Sequence, residues 1–339
     1  VAVKKIGRQT IKFSSPPSIL TTASIVGPKE GQGPLADYYD EVLEDDLFGE
    51  DSWEMAESKL LKEAVTIAIS KGKLKIPDID FMIGGDLLNQ LISTTFAARD
   101  LELPLYGLYG ACSTFTEAIS IGAVLLDGGF ADKVIATTSS HFSTAERQFR
   151  YPLELGNQRS LTSQWTVTGS GAALLTSSGN GPVVTYSTIG KVVDLGITDV
   201  NNMGAAMAPA AANTIATHLT DTGRGPEDYD LIITGDLGKY GRDIAVELMK
   251  KEGFRIVKNF TDCGIEIFDD KKQDTHAGGS GCGCSAVVFC GFLYRQLILK
   301  KIKKLLLVST GALFSPTSFQ QGESIPGIAH AIAVEMKGN

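Results

Sequence analysis

Several familiar functional signatures are missing from this 339-residue chain. No Gly-Lys-Ser or Gly-Lys-Thr closes any of its glycine-rich stretches, which excludes a P-loop phosphate cradle. Its five cysteines, at 112, 263, 282, 284 and 290, form no Cys-x2-Cys pair with a distant partner pair. Cys282 and Cys284 are too close for ordinary zinc geometry without further ligands, so no protein-held metal is expected and nothing calls for a cofactor. With no signal peptide before them, free thiols in a reducing compartment are expected. The longest apolar run, Ala286 to Tyr294, is well short of the roughly 20 residues that a membrane span needs. A net charge of −8 argues against broad nucleic-acid binding, which needs clustered cations, and leaves a local basic pocket open. The one dense basic cluster, Lys300 to Lys304, reads as the solvated end of a helix. Hydrophobic residues at 43% and charged residues at 21% exclude disorder and fibrous classes and leave an ordinary globular protein.

What the chain does contain is a repeated phrase. Asp78-Ile-Asp-Phe-Met-Ile-Gly-Gly-Asp86-Leu returns as Asp228-Tyr-Asp-Leu-Ile-Ile-Thr-Gly-Asp236-Leu, at an offset of 228 − 78 = 150. Gly110-Ala-Cys112-Ser113, an apolar stretch and Lys133-Val-Ile-Ala-Thr-Thr138 return as Cys282-Gly-Cys284-Ser285, an apolar stretch and Leu305-Leu-Leu-Val-Ser-Thr310, at 284 − 112 = 172. Two matches in the same order indicate a duplicated domain, with about 22 extra residues in the second copy, placed at Glu252 to Gln273. The halves are expected at 1–185 and 186–339. Residues meeting at the seam of such a duplication are natural candidates for a site.

The local pattern is α/β. Trp53 to Lys71 has helical apolar spacing, and Pro77-Asp78 opens the strand Phe81-Met-Ile-Gly; the same order follows at Pro226 to Thr234. Cys112 follows a strand-like Leu105-Tyr-Gly-Leu-Tyr and a Gly-Ala turn, and precedes a helical run ending at Asp127-Gly-Gly129. Such a place at a helix N-terminus lowers a thiol's pKa and attracts anions, but a small packed hydrophobe is an equal reading. His276 opens a glycine-rich turn, where capping is the plainer role. His141 follows a strand end, where α/β proteins place ligand-facing loops. His218 and His330 lie in apolar contexts and are assigned to structure. The glycines of Thr168-Gly-Ser-Gly171 are expected to permit close packing. Met203 to Ala212, small and uncharged, reads as a loop entering a closely packed helix.

A duplicated α/β chain with a cysteine opening one central helix and His-x-Gly-Gly-Ser-Gly in the matching place resembles the thiolase fold. The resemblance implies two pseudo-symmetric βαβ-type halves packed as a layered α/β/α/β/α core. It makes Cys112 the counterpart of the acyl-accepting cysteine and His276 that of a catalytic histidine. The departures are Thr234-Gly-Asp236-Leu-Gly, where acyl-transfer members have a further catalytic His or Asn, and Val308-Ser-Thr310-Gly-Ala-Leu, where thiolases have a second cysteine. Claisen chemistry without those groups loses several kcal/mol of transition-state stabilisation at each.

A closer resemblance covers nearly the whole chain. Gly27-Pro-Lys-Glu, Trp53-Glu-Met-Ala-Glu, Gly85-Asp-Leu-Leu-Asn-Gln90, Gly110-Ala-Cys-Ser-Thr, Thr144 to Pro152, Asp194 to Asp199, Ala277-Gly-Gly-Ser-Gly-Cys and Glu323-Ser-Ile-Pro resemble the stage V sporulation protein AD family. That resemblance implies a non-enzymatic thiolase-fold protein of endospore formers that binds dipicolinic acid, free or with calcium, and works with membrane partners at the forespore or spore inner membrane. It also implies a homodimer. The expected ligand slot is lined by Cys112, with Ser113, Ser163, Asp236, His276 and Thr310 as neighbours. Asp236 would repel a dianion unless protonated, bridged by calcium or turned away. The alternative is an acyl-CoA-dependent thiolase or ketoacyl-synthase-like enzyme acting through Cys112.

Overall fold

The architecture is that of a computed structural model, which describes residues 2–149, 159–256 and 258–337. The end of the phrase Thr144 to Pro152 lies outside the described residues. Two sets of five strands form the framework. The first comprises β1 (Ser18–Val26), β2 (Phe81–Gly85), β3 (Leu105–Gly107), β4 (Lys133–Ser140) and β5 (Gly169–Thr176), hydrogen-bonded in the order β3-β2-β4-β5-β1. The second comprises β6 (Val183–Thr188), β7 (Leu231–Thr234), β8 (Phe260–Asp262), β9 (Lys304–Ala312) and β10 (Gly327–Glu335), in the order β8-β7-β9-β10-β6.

Both sets follow the sequence third, second, fourth, fifth, first. In each, the second strand runs parallel to both neighbours and the remaining pairs are antiparallel. The repeated phrases are therefore the second strand of each half, and the duplication extends to topology. A single pair, Val183 opposite Ser18, joins the two sets through β6 and β1. The division expected between 185 and 186 runs through β6.

The apolar runs show why the layers form. Along β4, Ile135 packs under the outer helices α1 (Trp53–Lys71) and α2 (Ile92–Leu101), while Val134 and Ala136 face inward. Along β9, Leu306 and Val308 meet the outer helices α5 (Met203–Thr222) and α6 (Gly238–Lys251), while Leu305 and Leu307 face inward. Cover on both faces is why Val134–Ala136 and Leu305–Val308 read as continuous runs rather than alternations, while the buried hydroxyls that follow, such as Thr138, Ser140 and Ser309, are hydrogen-bonded. Between the sheets lie α3 (Thr114–Asp127) and α7 (Cys282–Val287), the latter continuing through a π-helical turn, Val288–Leu293. Phe115 and Phe289, both fully buried, meet there with centroids 5.7 Å apart. The result is the expected five-layered α/β core.

Close packing explains the glycines of β5. A Cβ on Gly171 would lie 2.5 Å from the carbonyl oxygen of Ala286, so only glycine lets α7 rest on this strand. Three local expectations change. The small-residue run from Met203 is helical from its first residue, with the Asn202 side chain accepting from Ala205 N–H. The added chain of the second half lies mostly beyond Asp262, as a short turn, Cys263–Glu266, and the loop that reaches Ser280. His141 faces no open loop: it is buried, with Nε2 2.8 Å from the Asp46 carbonyl and Nδ1 accepting from Ser143 N–H. His218 and His330 are buried structural residues, His218 between Thr188 and Tyr229 and His330 beneath Gly190 N–H.

Candidate functional site

Cys112 sits in a 3-10 turn, Ala111–Ser113, leading into α3. The turn is held by its own hydroxyls. Ser113 Oγ donates to the Gly110 carbonyl at 2.7 Å, Thr114 Oγ1 to that of Ala111 at 2.6 Å, and Gly110 N–H to Thr114 Oγ1 at 3.0 Å. Ala111 takes a left-handed φ of 49°, which aims the next residue out of the helix line. The second half then closes on this turn. A Cβ on Gly311 would lie 2.4 Å from the Gly110 carbonyl oxygen, so β9 can approach only because glycine stands there. That approach delivers Thr310 to the site.

Asp236 arrives from the end of β7 and is fully buried. Its Oδ1 accepts from Thr310 Oγ1 at 2.6 Å, and its Oδ2 from Ser280 Oγ and Gly281 N–H, both at 3.0 Å. The Cys112 thiol is near enough for the same carboxylate to raise its pKa. Gln164 Nε2 fixes the backbone by donating to the carbonyls of Asp236 and Gly279, at 2.6 and 2.8 Å. Ser280 is in reach because Trp165–Thr166 and Gly279–Ser280 form a short parallel ladder across the seam. Asp262 stands behind, accepting from Thr234 Oγ1, Leu237 N–H and Gly238 N–H at 2.7, 2.8 and 3.0 Å.

Burial dominates the electrostatics. It pushes the Asp236 carboxyl up from its ordinary range, against the pull of the donors around it. It lifts Asp262 to about 7, with Asp236 adding to the effect. The Cys112 thiol is held well above the usual thiol range, by burial first and then by Asp236 and Cys282. The lowering expected from a helix N-terminus is overturned, because the loss of water and an adjacent carboxylate outweigh partial backbone charges.

Above Cys112 lies a narrow cavity of about 80 Å³. Leu87, Ala145, Phe149, Met203, Met207 and Phe314 make its walls, with Tyr109, Glu146, Thr166 and Ser280 adding polarity. Phe149 and Phe314 pack at 5.8 Å, and Phe314 and Phe319 at 6.0 Å. A larger groove of about 750 Å³ lies elsewhere, between α1, α2 and α4 (Phe142–Phe149). Its Lys59 pairs with Glu50 at 3.0 Å, Lys62 with Asp100 at 3.9 Å and Arg147 with Glu54. We place the site at Cys112 despite its smaller volume, since apolar walls and convergent polar groups at a seam mark a ligand slot.

Of the six residues expected at the slot, Cys112 lines the cavity, while Asp236 and Thr310, hydrogen-bonded to each other, lie outside its lining. Ser113 is buried beside them with its hydroxyl spent on its own turn. Ser163 donates to the Ser160 carbonyl at 2.7 Å and lies outside the cavity lining. His276 is also outside that lining: its Nδ1 is 2.6 Å from the Ser160 carbonyl and its Nε2 is 2.8 Å from Asp274. Sequence reasoning missed Tyr109, Thr166, Ser280 and Phe314. It had marked the uncharged run holding Met203 and Met207, which lie four apart on one face of α5. The i, i+4 spacing was the available signal.

Layering, strand order and the cysteine at the seam together define a thiolase-like fold. Solved structures agree on the fold. A variant of OleA from Xanthomonas campestris superposes with a TM-score of 0.63, covering 96% of this chain and 99% of that one at 12% identity. The 3-oxoacyl-[acyl-carrier-protein] synthase III from Aquifex aeolicus VF5 gives 0.58 over 94% and 99%, also at 12% identity. The sequence itself goes further: the profile of the Stage V sporulation protein AD family matches residues 7–335. The Stage V sporulation protein AD of Bacillus subtilis (strain 168) is 45% identical over 336 residues, covering 99% of each chain. The chain belongs to the Stage V sporulation protein AD family of sporulation proteins.

Proposed function

We propose that this sporulation protein binds dipicolinic acid, free or as its calcium chelate, in the slot above Cys112, and does so without transforming it. The observation that carries this reading is the apolar-walled cavity that Cys112, Tyr109, Thr166 and Ser280 line, beside an Asp236 carboxylate already engaged by Thr310, Ser280 and Gly281. A nucleophile needs a base to take its proton or a depressed pKa. Here burial and a carboxylate instead keep the proton on sulfur. The acyl-transfer alternative is not favoured for the same reason.

The surroundings suit a flat polar ring. Apolar side chains flank the slot, and Tyr109, Thr166 and Ser280 supply hydroxyls at its edge. Asp236 is engaged by Thr310, Ser280 and Gly281, so its charge is turned inward, away from a bound carboxylate. The slot holds only two or three waters at about 30 Å³ each, so ligand entry moves the Phe314 and methionine side chains, which are flexible and adaptable.

The same reading includes partners. Among the described residues no helix is long and apolar enough to cross a membrane, and the proposal has the protein act at the forespore or spore inner membrane through membrane proteins of the same transport system. It also includes a homodimer joined at the edge strand β3, where Tyr106 and Tyr109 are each 47% exposed beside Phe96 at 44%. An uncovered edge flanked by aromatic side chains is a ready surface for pairing.

Calorimetry of the folded chain with dipicolinate, with and without equimolar calcium, tests the central claim. We expect one ligand in the slot of each chain, and at least a tenfold loss at that site for Ala145→Phe, which fills it. Absence of binding by folded wild type in both titrations overturns the reading. Exposure to a panel of acyl-CoAs followed by intact-mass measurement is expected to leave Cys112 unmodified.

A further inference from the structure

On the far face of the ladder that carries Thr166 into the Cys112 slot, Trp165 points the other way, as alternation along a strand requires. Phe142 stacks on its indole at 3.7 Å with an interplanar angle of 6°. Two cations converge on the same ring: Lys29 Nζ is 4.1 Å and the Arg159 guanidinium 5.0 Å from its centroid. We propose that Lys29 and Arg159, seated on Trp165, form a second site that binds an oxyanion, either a carboxylate or a phosphate group.

Charge and hydrogen-bond accounting carry the assignment. Arg159 has only 10% of its side chain exposed, and its Nη2 is spent on Asp274 at 2.7 Å. Its Nη1 is buried with no acceptor among the described residues. A buried guanidinium N–H without a partner is costly, and an arriving oxygen removes that cost. Lys29 is half-buried, and its ammonium has no hydrogen-bond or ion-pair partner among the described residues. Asp274 is the one carboxylate bonded to Arg159 among those residues, and it is shared with His276 Nε2 at 2.8 Å. The adjacent Glu30 is buried, accepts from Thr168 N–H at 3.0 Å and makes no ion pair with Lys29; burial pushes its carboxyl up to about 8. Two like charges on one indole with a single shared counter-ion leave room for one more negative group. Arg and Lys together are the usual means of holding one.

The site is independent of the dipicolinate reading and is tested apart from it. Trp53→Phe leaves Trp165 as the only tryptophan, so its fluorescence reports this site. The protein is titrated with inorganic phosphate and, separately, acetate, each against chloride at equal ionic strength. We expect a saturable change with at least one oxyanion, and the ratio of the two half-saturation points tells phosphate from carboxylate preference. Lys29→Ala is expected to weaken that saturation at least tenfold while keeping the thermal transition, and Arg159→Ala to abolish it. Ala145→Phe should leave it unchanged. The proposal is overturned if neither oxyanion differs from chloride, or if the response survives Lys29→Ala, whose half-exposed side chain can be removed without threatening the fold.

Discussion

Thr310 Oγ1 donates to Asp236 Oδ1 at 2.6 Å, and Asp236 N–H returns a bond to the same hydroxyl at 3.2 Å. The two residues come from β9 and the end of β7, adjacent strands of one half, and together they fix a carboxylate against a cysteine of the other half. The seam is therefore occupied by a hydrogen-bonded unit whose charge is committed. Consequences for reactivity, stability and binding follow from that geometry.

Cys112 should alkylate slowly with iodoacetamide at pH 7, because the thiolate is the reacting form. Asp236→Asn removes the adjacent carboxylate, the second cause of the raised pKa after burial. We expect alkylation at least several-fold faster in the variant, followed by peptide mass spectrometry. An unchanged rate, in a variant with an unchanged thermal transition, would show that Asp236 does not govern the thiol.

Stability should decline as pH rises from about 6.5 to 9, above the range in which the buried neutral His218 and His330 act in the opposite sense. Glu57 is wholly buried between Ser139 Oγ and Thr144 Oγ1, at 3.1 and 2.7 Å. Burial first, and then the charge of Asp86, push its carboxyl from 4.5 up to about 8. A folded pKa above the unfolded one means that the folded state holds the extra proton. Its contribution is complete below about 4.5 and is lost as pH passes through about 8. Glu30 acts in the same direction, so Glu57→Gln should flatten the melting-temperature profile only in part, and the Glu30→Gln, Glu57→Gln double variant more. A wild-type profile that is level from about pH 6.5 to 9 would contradict this account.

Asp262 takes three donors at the start of α6. Asp262→Ala leaves two backbone N–H groups unpaired in a dry interior, at a cost of about 1–3 kcal/mol, while the Thr234 hydroxyl keeps its longer bond to the Thr261 carbonyl at 3.3 Å. Urea unfolding should show a midpoint shift of that size with an unchanged slope. A shift below about 0.5 kcal/mol would mean that water reaches the helix start.

Gly311→Ala tests the close approach of the halves without touching a functional group. Its Cβ would meet the Gly110 carbonyl oxygen at 2.4 Å, backbone against backbone, so the Cys112 turn must move. We expect lower stability together with weaker dipicolinate binding in calorimetry. Wild-type values for both would show that the turn yields freely.

The sequence determined a good deal. Its repeated phrases marked the second strand of each half, because identical burial on both faces selects the same apolar run twice. The glycines of β5 and the helix from Trp53 were legible for equally local reasons, namely close packing and helical spacing. What only the tertiary structure decided is how the matched residues part company. Asp86 accepts from Leu88 N–H and from both Thr94 N–H and Oγ1, and so secures the start of α2. Its counterpart Asp236 is relieved of that duty by Asp262, which secures α6, and it faces Cys112 instead. No spacing could reveal this, since Asp262 lies in another strand and the exchange depends on which donors the fold brings within hydrogen-bond reach. His276 shows the converse: a motif suggested a place in the site, but a left-handed φ of 53° and the pull of Ser160 and Asp274 hold its ring outside the slot. Chain-local patterns specify elements and faces, whereas a thiol's proton and a carboxylate's direction are set by neighbours that are distant in sequence.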